Sequence, residues 1–306
     1  MKKQKHNVSF VIAIYNPNLN KLKDTIESIV KQKGINSEIV ICDDGSKTDY
    51  SGFLSELFFR INYCDYSYIR QKENVGTVKN VFAGVMACTS KYIKLLSPGD
   101  YMYSENIISE WLGFLKKNKA DWSFGEAVYY RTENNHKFVF SGIAYPLDIK
   151  PYIKKDVKKC QWNCCVLKDL ILGANTLCKK TILAEYLAEI VGKVRYAEDN
   201  IYRLMIFDGN IGVYFPKKTI FYEYGEGIST VKSTHWEKAL HEDFINSNII
   251  MKSHNSQKDP WKQRILNSFE RWYFRKGYAR LFNLLLLRNG FRMFYYRKYC
   301  PRKTQM

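Results

Sequence analysis

The sequence predicts an α/β fold: a mainly parallel sheet flanked by helices, followed by a basic, aromatic, helical appendage at the C-terminal end. Three observations predict it. Short apolar runs of strand length alternate with stretches of helical periodicity through the first half of the chain. Two of those runs stop abruptly at acidic turns, Asp43-Asp44-Gly45-Ser46 and Ser97-Pro98-Gly99-Asp100. Positive charge is segregated: residues 261–306 hold 12 lysines and arginines against one acidic residue, Glu270, within a 306-residue chain of formal net charge +18.

Taken in order, Val8 to Ile14 predicts a buried strand. Asn20 to Lys33 then places Leu22, Ile26, Ile29 and Val30 on one helical face. Ile39 to Cys42 is a second strand ending at the first acidic turn, Tyr66 to Arg70 a third, Val78 to Ala87 a helix, and Tyr92 to Leu96 the strand that ends at the second acidic turn. Alternation of this kind favours parallel strands with right-handed crossovers, and ligands of such sheets bind beyond the carboxyl ends of the strands. Both acidic turns fall on that edge. Further along, Glu105 to Lys117 predicts a helix and Trp122 to Tyr130 a strand, while 132–170 is polar and irregular. A helix at Thr181 to Val191 leads to Ala197-Glu198-Asp199-Asn200 and a second helix to about Phe207, then strands at Ile211 to Phe215 and Thr219 to Tyr222.

Composition bounds the class. With 46% hydrophobic and 25% charged residues the chain is an ordinary folding sequence, long enough for one large domain and an appendage. Its eight cysteines follow no framework spacing, which suits reduced, buried thiols; Cys160-x3-Cys164-Cys165 lacks the paired spacing and nearby histidine of a zinc site. Lys2, Lys3 and Lys5 ahead of Val8 to Tyr15 imitate a signal peptide, but the apolar run is short, ends in Asn16-Pro17 and is read as the first strand. No stretch reaches the roughly 20 apolar residues that span a bilayer. These features lead to the expectation of a cytoplasmic protein.

Three acidic positions carry candidate chemistry. Asp44, with Gly45 allowing close backbone approach, is placed to accept hydrogen bonds from a pyrimidine N–H or ribose hydroxyls; an ordinary strand-closing Asp-Gly turn explains it equally. Asp100 is placed to hold Mg2+ or Mn2+ against diphosphate oxygens, or else to cap the helix that follows. Glu198-Asp199 opens a helix, where Asp199 serves either as a general base for an attacking hydroxyl or as an N-cap.

The ordered set resembles the family 2 glycosyltransferases of GT-A fold, a Rossmann-like arrangement. Val11-Ile12-Ala13-Ile14-Tyr15-Asn16 is similar to their opening strand. Asp43-Asp44-Gly45-Ser46 matches their DDGS element, Asn74-x-Gly76 with Lys79-Asn80 their N-x-G segment, and Glu198-Asp199 their late Glu-Asp element. The resemblance covers about residues 8–230 and implies a catalytic domain over 1–235, with a nucleotide-binding half to about 103 and an acceptor half beyond, then a helical region over 236–306. It implies nucleotide contacts from Ala13, Tyr15, Asp43, Asp44, Asn74, Gly76, Lys79, Ser97 and Gly99, a metal at Asp100, and Asp199 as base of an inverting displacement. Where these enzymes carry D-x-D-D, this chain has Ser97-Pro98-Gly99-Asp100, so the position that would touch the ribose is a glycine and the metal rests on one carboxylate. Tyr222 to Thr230 resembles their late loop near the diphosphate. Gly225 and Gly227 then become lid residues, with Glu198 and His235 as further candidates on the acceptor or lid side.

The expected activity is transfer of a sugar from a nucleoside-diphosphate sugar, a UDP-sugar by the resemblance, to a hydroxyl of a saccharide acceptor, polyprenyl-linked, in surface-polysaccharide (capsule or O-antigen) synthesis. The tail interleaves Ile265, Phe269, Trp272, Tyr273, Leu281 and Phe282 with Arg264, Arg271, Arg275, Lys276 and Arg280. That composition suits an anionic membrane surface, reached through 261–306 on the inner face of the cell membrane; packing on the catalytic domain with a solvated basic face is the alternative for the first half, and the second half, Phe291 to Lys298, is read as the membrane contact. Nucleic acid is disfavoured as a partner, because most of the excess positive charge is segregated in the tail and no nucleic-acid-binding signature is present. A nucleotidyltransferase or a dinucleotide enzyme would need a glycine-rich loop after the first strand, and Tyr15-Asn16-Pro17-Asn18 is not one.

Overall fold

A computed structural model describes residues 6–133, 136–139, 145–225, 233–274 and 304–305. The first half alternates β1 Val8–Ile14, α1 Leu19–Val30, β2 Ser37–Asp43, α2 Ser51–Arg60, β3 Tyr66–Arg70, α3 Thr77–Ala87 and β4 Tyr92–Leu96. The strands pair in the order β3-β2-β1-β4, all parallel, and Ala13 stands beside Cys42 and Ile14 beside Asp43. The fold class is therefore the expected one: a Rossmann-like α/β sheet flanked by helices. α1 begins where the Asn18 side chain accepts hydrogen bonds from the backbone N–H groups of Asn20 and Lys21, and it buries Leu22, Ile26 and Ile29. α2 was absent from the sequence expectation; it has no capping side chain at Tyr50, yet Leu54, Leu57 and Phe58 lie at helical spacing and are buried.

Past β4 the sheet becomes mixed. β5 Tyr101–Met102, α4 Ile107–Lys117, β6 Trp122–Glu133, β7 His136–Val139, α5 Lys150–Ile153, α6 Val157–Cys165, a 3-10 turn at Gly173–Asn175, β8 Thr176–Lys179, α7 Lys180–Ile190, α8 Asn200–Phe207 and β9 Val213–Glu223 follow. β8 inserts antiparallel between β4 and β6, and β9 runs parallel to β6. The two strands expected near 211–222 are one strand, whose pairing shifts opposite Glu126. The segment expected to be irregular holds β7, α5 and α6, and it buries Cys160, Cys164 and Cys165. Burial pushes the Cys160 thiol up to about 12. Among the described residues no group of three His, Cys, Asp or Glu side chains is placed to hold a metal ion.

Apolar residues pack on both faces of the sheet. α1, α2 and α4 cover one, while α3 and α6 to α8 cover the other. α9 Thr234–Ser253 and α10 Pro260–Phe274 extend that second layer. Ile265, Leu266 and Phe269 are buried within it, and the Arg203 guanidinium, itself buried, lies over the rings of Phe244 and Phe269. The first helix of the basic tail thus packs on the domain, as the alternative reading had it. Trp272 and Tyr273 have no described side chains, and residues 275–303 lie outside the described residues. No described helix is long and apolar enough to cross a membrane.

Candidate active site

The parallel half of the sheet brings the acidic turns to one edge. At the end of β1, Asn16 takes a left-handed conformation (φ 44°) and its N–H donates to Ser46 Oγ at 2.8 Å, so the Tyr15-Asn16 corner is fastened to the Asp43-Asp44-Gly45-Ser46 turn. Ala13 is partly buried beside that turn and Tyr15 is 51% exposed above it. The two aspartates differ. Asp43 is wholly buried, accepts from the Ser46 N–H (2.9 Å) and the Tyr68 hydroxyl (2.7 Å), and shapes the turn itself. Asp44 reaches across to the next loop and accepts from the N–H groups of Val75 (2.7 Å) and Gly76 (3.1 Å). Burial pushes the Asp44 carboxyl upward against those two bonds and the nearby Arg195 charge. Gly45 has φ 70°, and a Cβ there would overlap the Glu73 backbone, so glycine is required for the two loops to meet.

Gly76 joins this half to the later acidic element. A Cβ on it would lie 2.5 Å from Arg195 Cγ; the Val78 N–H donates to the Arg195 carbonyl at 3.0 Å, and the Arg195 guanidinium donates to Asn74 Oδ1 at 3.3 Å. Lys79 projects from the exposed face of α3, and Asn80, buried, donates to the Cys42 carbonyl at 2.8 Å.

Asp100 does not cap the following helix. Its Oδ2 accepts from the Ser97 N–H across its own turn at 3.0 Å, and the Gly99 N–H donates to Thr25 Oγ1 at 3.0 Å. Burial, together with the Glu223 and Asp199 charges, pushes the Asp100 carboxyl up to about 7 against the pull of Lys94. Asp199 sits at the N-cap position of α8 but makes no capping bond. Its carboxylate instead lies against Gly173, whose N–H bonds to it, and burial pushes it up to about 6. Glu198 beside it is pushed up to about 8 by burial and by the Asp199, Asp243 and Asp100 charges. Asp100, Glu198 and Asp199 thus lie close enough to perturb one another, as residues tuned for proton transfer do.

Three supports escaped the sequence reading. Lys94, fully buried in β4, donates through Nζ to the Ala174 carbonyl and pins the turn whose Gly173 faces Asp199. Asn175 in the same turn donates to the Gly125 carbonyl at 2.6 Å. Asp243 on α9 accepts from the N–H groups of Arg195 (2.7 Å), Tyr196 (2.7 Å) and Ala197 (3.0 Å), fixing the loop that delivers Glu198 and Asp199. His235 is exposed in the first turn of α9, where its ring meets Trp236, which in turn stacks edge-on against Tyr196. Gly225 (φ 110°) closes the described part of the late loop, and Gly227 lies outside the described residues.

Comparison with known proteins agrees with this arrangement. The model of glycosyl transferase family 2 matches residues 9–169. An uncharacterized glycosyltransferase of Rickettsia felis is 27% identical over 187 residues, 58% of this chain and 27% of that protein, so the match spans about a quarter of the relative's length. Glycosyltransferase GlyG of Streptococcus pneumoniae is 29% identical over 137 residues, 44% of each chain. Among solved structures, S. aureus TarS 1-349 in complex with UDP superposes with a TM-score of 0.57 at 13% identity, covering 92% of this chain and 75% of that one. The mannosyltransferase PcManGT of Pyrobaculum calidifontis, with GDP-Man and Mn2+, gives 0.57 at 12% identity, covering 94% and 74%. The chain belongs to glycosyl transferase family 2 and has the GT-A fold.

Proposed function

We propose that this family 2 glycosyltransferase moves a sugar from a UDP-linked donor, with inversion, to a hydroxyl of a lipid-linked saccharide, using Asp199 as the general base. The observation that carries the reading is the gathering of Asp100, Glu198 and Asp199, each with a raised pKa, at the carboxyl edge of the parallel strands. An ionised Asp199 removes the proton of the acceptor hydroxyl as its oxygen attacks the anomeric carbon and the bond to the leaving diphosphate breaks. Glu198, pushed higher, keeps its proton near neutral pH and leaves the negative charge on Asp199. The Gly173 N–H orients the base, and the Asp44 turn, tied through Val75 and Gly76 to Arg195, holds the nucleoside end. UDP and UDP-GlcNAc in TarS structures support a nucleotide-sugar donor.

Mg2+ or Mn2+ fits this site through Asp100. Its carboxylate is buried among other acids, a repulsion that a divalent cation relieves, and it accepts one backbone hydrogen bond. No group of three candidate ligands is gathered among the described residues, so the positions beyond Asp100 would fall to donor phosphates and water, as Mg2+ commonly accepts. The ion would neutralise the leaving diphosphate. The catalytic domain over 1–235 ends where α9 begins, and α9 carries Asp243, so we assign α9 a support role in the same active site. We place the membrane contact on an inner-face anionic surface beyond α10, because the buried Ile265 and Phe269 are committed to the core.

Asp199→Asn tests the base: turnover should fall by about 10²-fold or more while UDP binding stays, and near-normal turnover rejects the assignment. Deletion from residue 288 onward should release the protein from anionic liposomes; unaltered co-sedimentation rejects the membrane contact.

A further inference from the structure

We propose that Glu223, at the end of β9, supplies the carboxylate that the Ser97-Pro98-Gly99-Asp100 turn lacks, and that it accepts a hydrogen bond from a ribose hydroxyl of the donor nucleotide. The inference rests on the nucleotide-sugar reading above. A Cβ built on Gly99 would lie 2.5 Å from Glu223 Oε2. The space into which an acid at position 99 would project is therefore filled by a carboxylate oxygen from another strand. Gly99 also has φ 105°, where a side chain is strained. Position 99 has given up its own acid, and the same volume holds an acid delivered from across the sheet.

The carboxylate is held as a binding group is held. Tyr130 of β6 pairs with Glu223 in the ladder and donates its hydroxyl to the Gly99 carbonyl. Lys21 Nζ lies 2.7 Å from Glu223 Oε2, and Thr132 Oγ1 donates to Oε1 at 2.9 Å. Gly99 is fixed from the other side by Thr25. Rotamer freedom is thus removed before any ligand arrives, which lowers the cost of binding. Each carboxylate oxygen keeps acceptor capacity for a second donor after these bonds, and a ribose presents two neighbouring hydroxyls. Glu223 is 8% exposed, and its Oε2 stands over Gly99, the neighbour of Asp100, so it lies beside the proposed metal position rather than on an outer surface.

A purely structural Glu223 would fasten Lys21 and Thr132 and have no preference among nucleotides. The full chain is therefore titrated calorimetrically with UDP, or GDP if that binds more tightly, and with the 2′-deoxy and 3′-deoxy forms of the same nucleotide. The wild type should lose about tenfold in affinity on losing one of the hydroxyls, the worth of one hydrogen bond to a charged group. In Glu223→Gln, which keeps the volume and drops the charge, that discrimination should shrink to about twofold or less, with the melting temperature close to wild type. Lys21→Met, which keeps the carboxylate and removes its fastening, should retain most of the discrimination. Unchanged discrimination in Glu223→Gln, or equal loss in both variants, overturns the proposal. Failure of the wild type to bind either diphosphate overturns the donor reading as well, whereas tight binding with unaltered discrimination removes Glu223 alone.

Discussion

Gly173→Ala is the sharpest perturbation of the proposed base that leaves the base itself in place. A Cβ on Gly173 would come to 2.8 Å of Asp199 Cγ and nearer still to Oδ1. Carbon and oxygen rest at about 3.5 Å, so one partner has to move by about 1 Å or more. The turn is the less yielding of the two: Lys94 holds the Ala174 carbonyl, Asn175 holds the Gly125 carbonyl, and Thr176 shares a 2.6 Å hydrogen bond with the Tyr202 hydroxyl. The Asp199 side chain therefore swings away and loses its Gly173 hydrogen bond. Gly173 lies outside the left-handed region, so alanine brings no backbone strain there. A displacement of 1 Å at a reacting group costs about 10²-fold in rate. The assay is UDP release at saturating donor and acceptor, set beside a UDP titration and a thermal melt. Turnover should fall about a hundredfold while UDP affinity stays within about twofold. Turnover within about threefold of wild type, with the fold intact, would refute the idea that Gly173 positions a base at Asp199.

The pH dependence of turnover should show its acid limb near pH 6, falling about tenfold per unit below, because Asp199 has to be ionised; a flat profile between pH 5 and 7 excludes it as base. Glu198, raised to about 8 in the fold from an ordinary value of 4.5, lends stability that is complete below 4.5 and is lost as pH rises through 8. Glu198→Gln should therefore melt higher than wild type at pH 8 to 9, by about 2 °C or more, and the advantage should shrink toward pH 5. Asp44→Asn presents an amide to the N–H groups of Val75 and Gly76 and should weaken UDP binding about tenfold, a loss that a titration would either show or deny. His254 bonds Asp208 at 2.6 Å and also meets Glu189, so its pKa is raised; the stability it lends is full at acid pH and lost as pH rises through that raised value. His254→Gln should cost about 1–3 kcal/mol at pH 6 and less at pH 9 by denaturant unfolding; an equal cost at both pH values would count against the charged pair.

Much of the site was legible because its acids end strands or open a helix, where a local pattern marks them. Asp44, Asp100 and Asp199 become candidates in that way, and the structure brings the later two together with Glu198. The turn and cap alternatives for the same residues were equally local, and only contacts across the fold separate them. Asp44 bonds a loop 31 residues away, and Asp199 sits at an N-cap without capping. The supports were hidden because their partners are distant in sequence. Lys94 meets Ala174 across 80 residues and Asp243 meets Arg195 across 48, and no periodicity encodes either contact. Lys94 carried one faint signal, a lysine inside a run otherwise buried as a core strand. Glu223 carried none, since its meaning comes from standing over a glycine in a different turn. The mixed half of the sheet was under-read for a similar reason: β8 is four residues long, and its place between β4 and β6 is set by tertiary pairing.

The central claim is that a nucleotide sugar is bound at this edge and turned over by Asp199. The most direct measurement is nucleotide release from a panel of UDP-Glc, UDP-Gal, UDP-GlcNAc, UDP-GalNAc and GDP-Man, with wild type and Asp199→Asn side by side, each with and without Mn2+. One UDP-sugar should be consumed by the wild type, and the same sugar should bind Asp199→Asn without being consumed. Equal turnover by the two proteins, or no binding of any nucleotide sugar by the wild type, would contradict it.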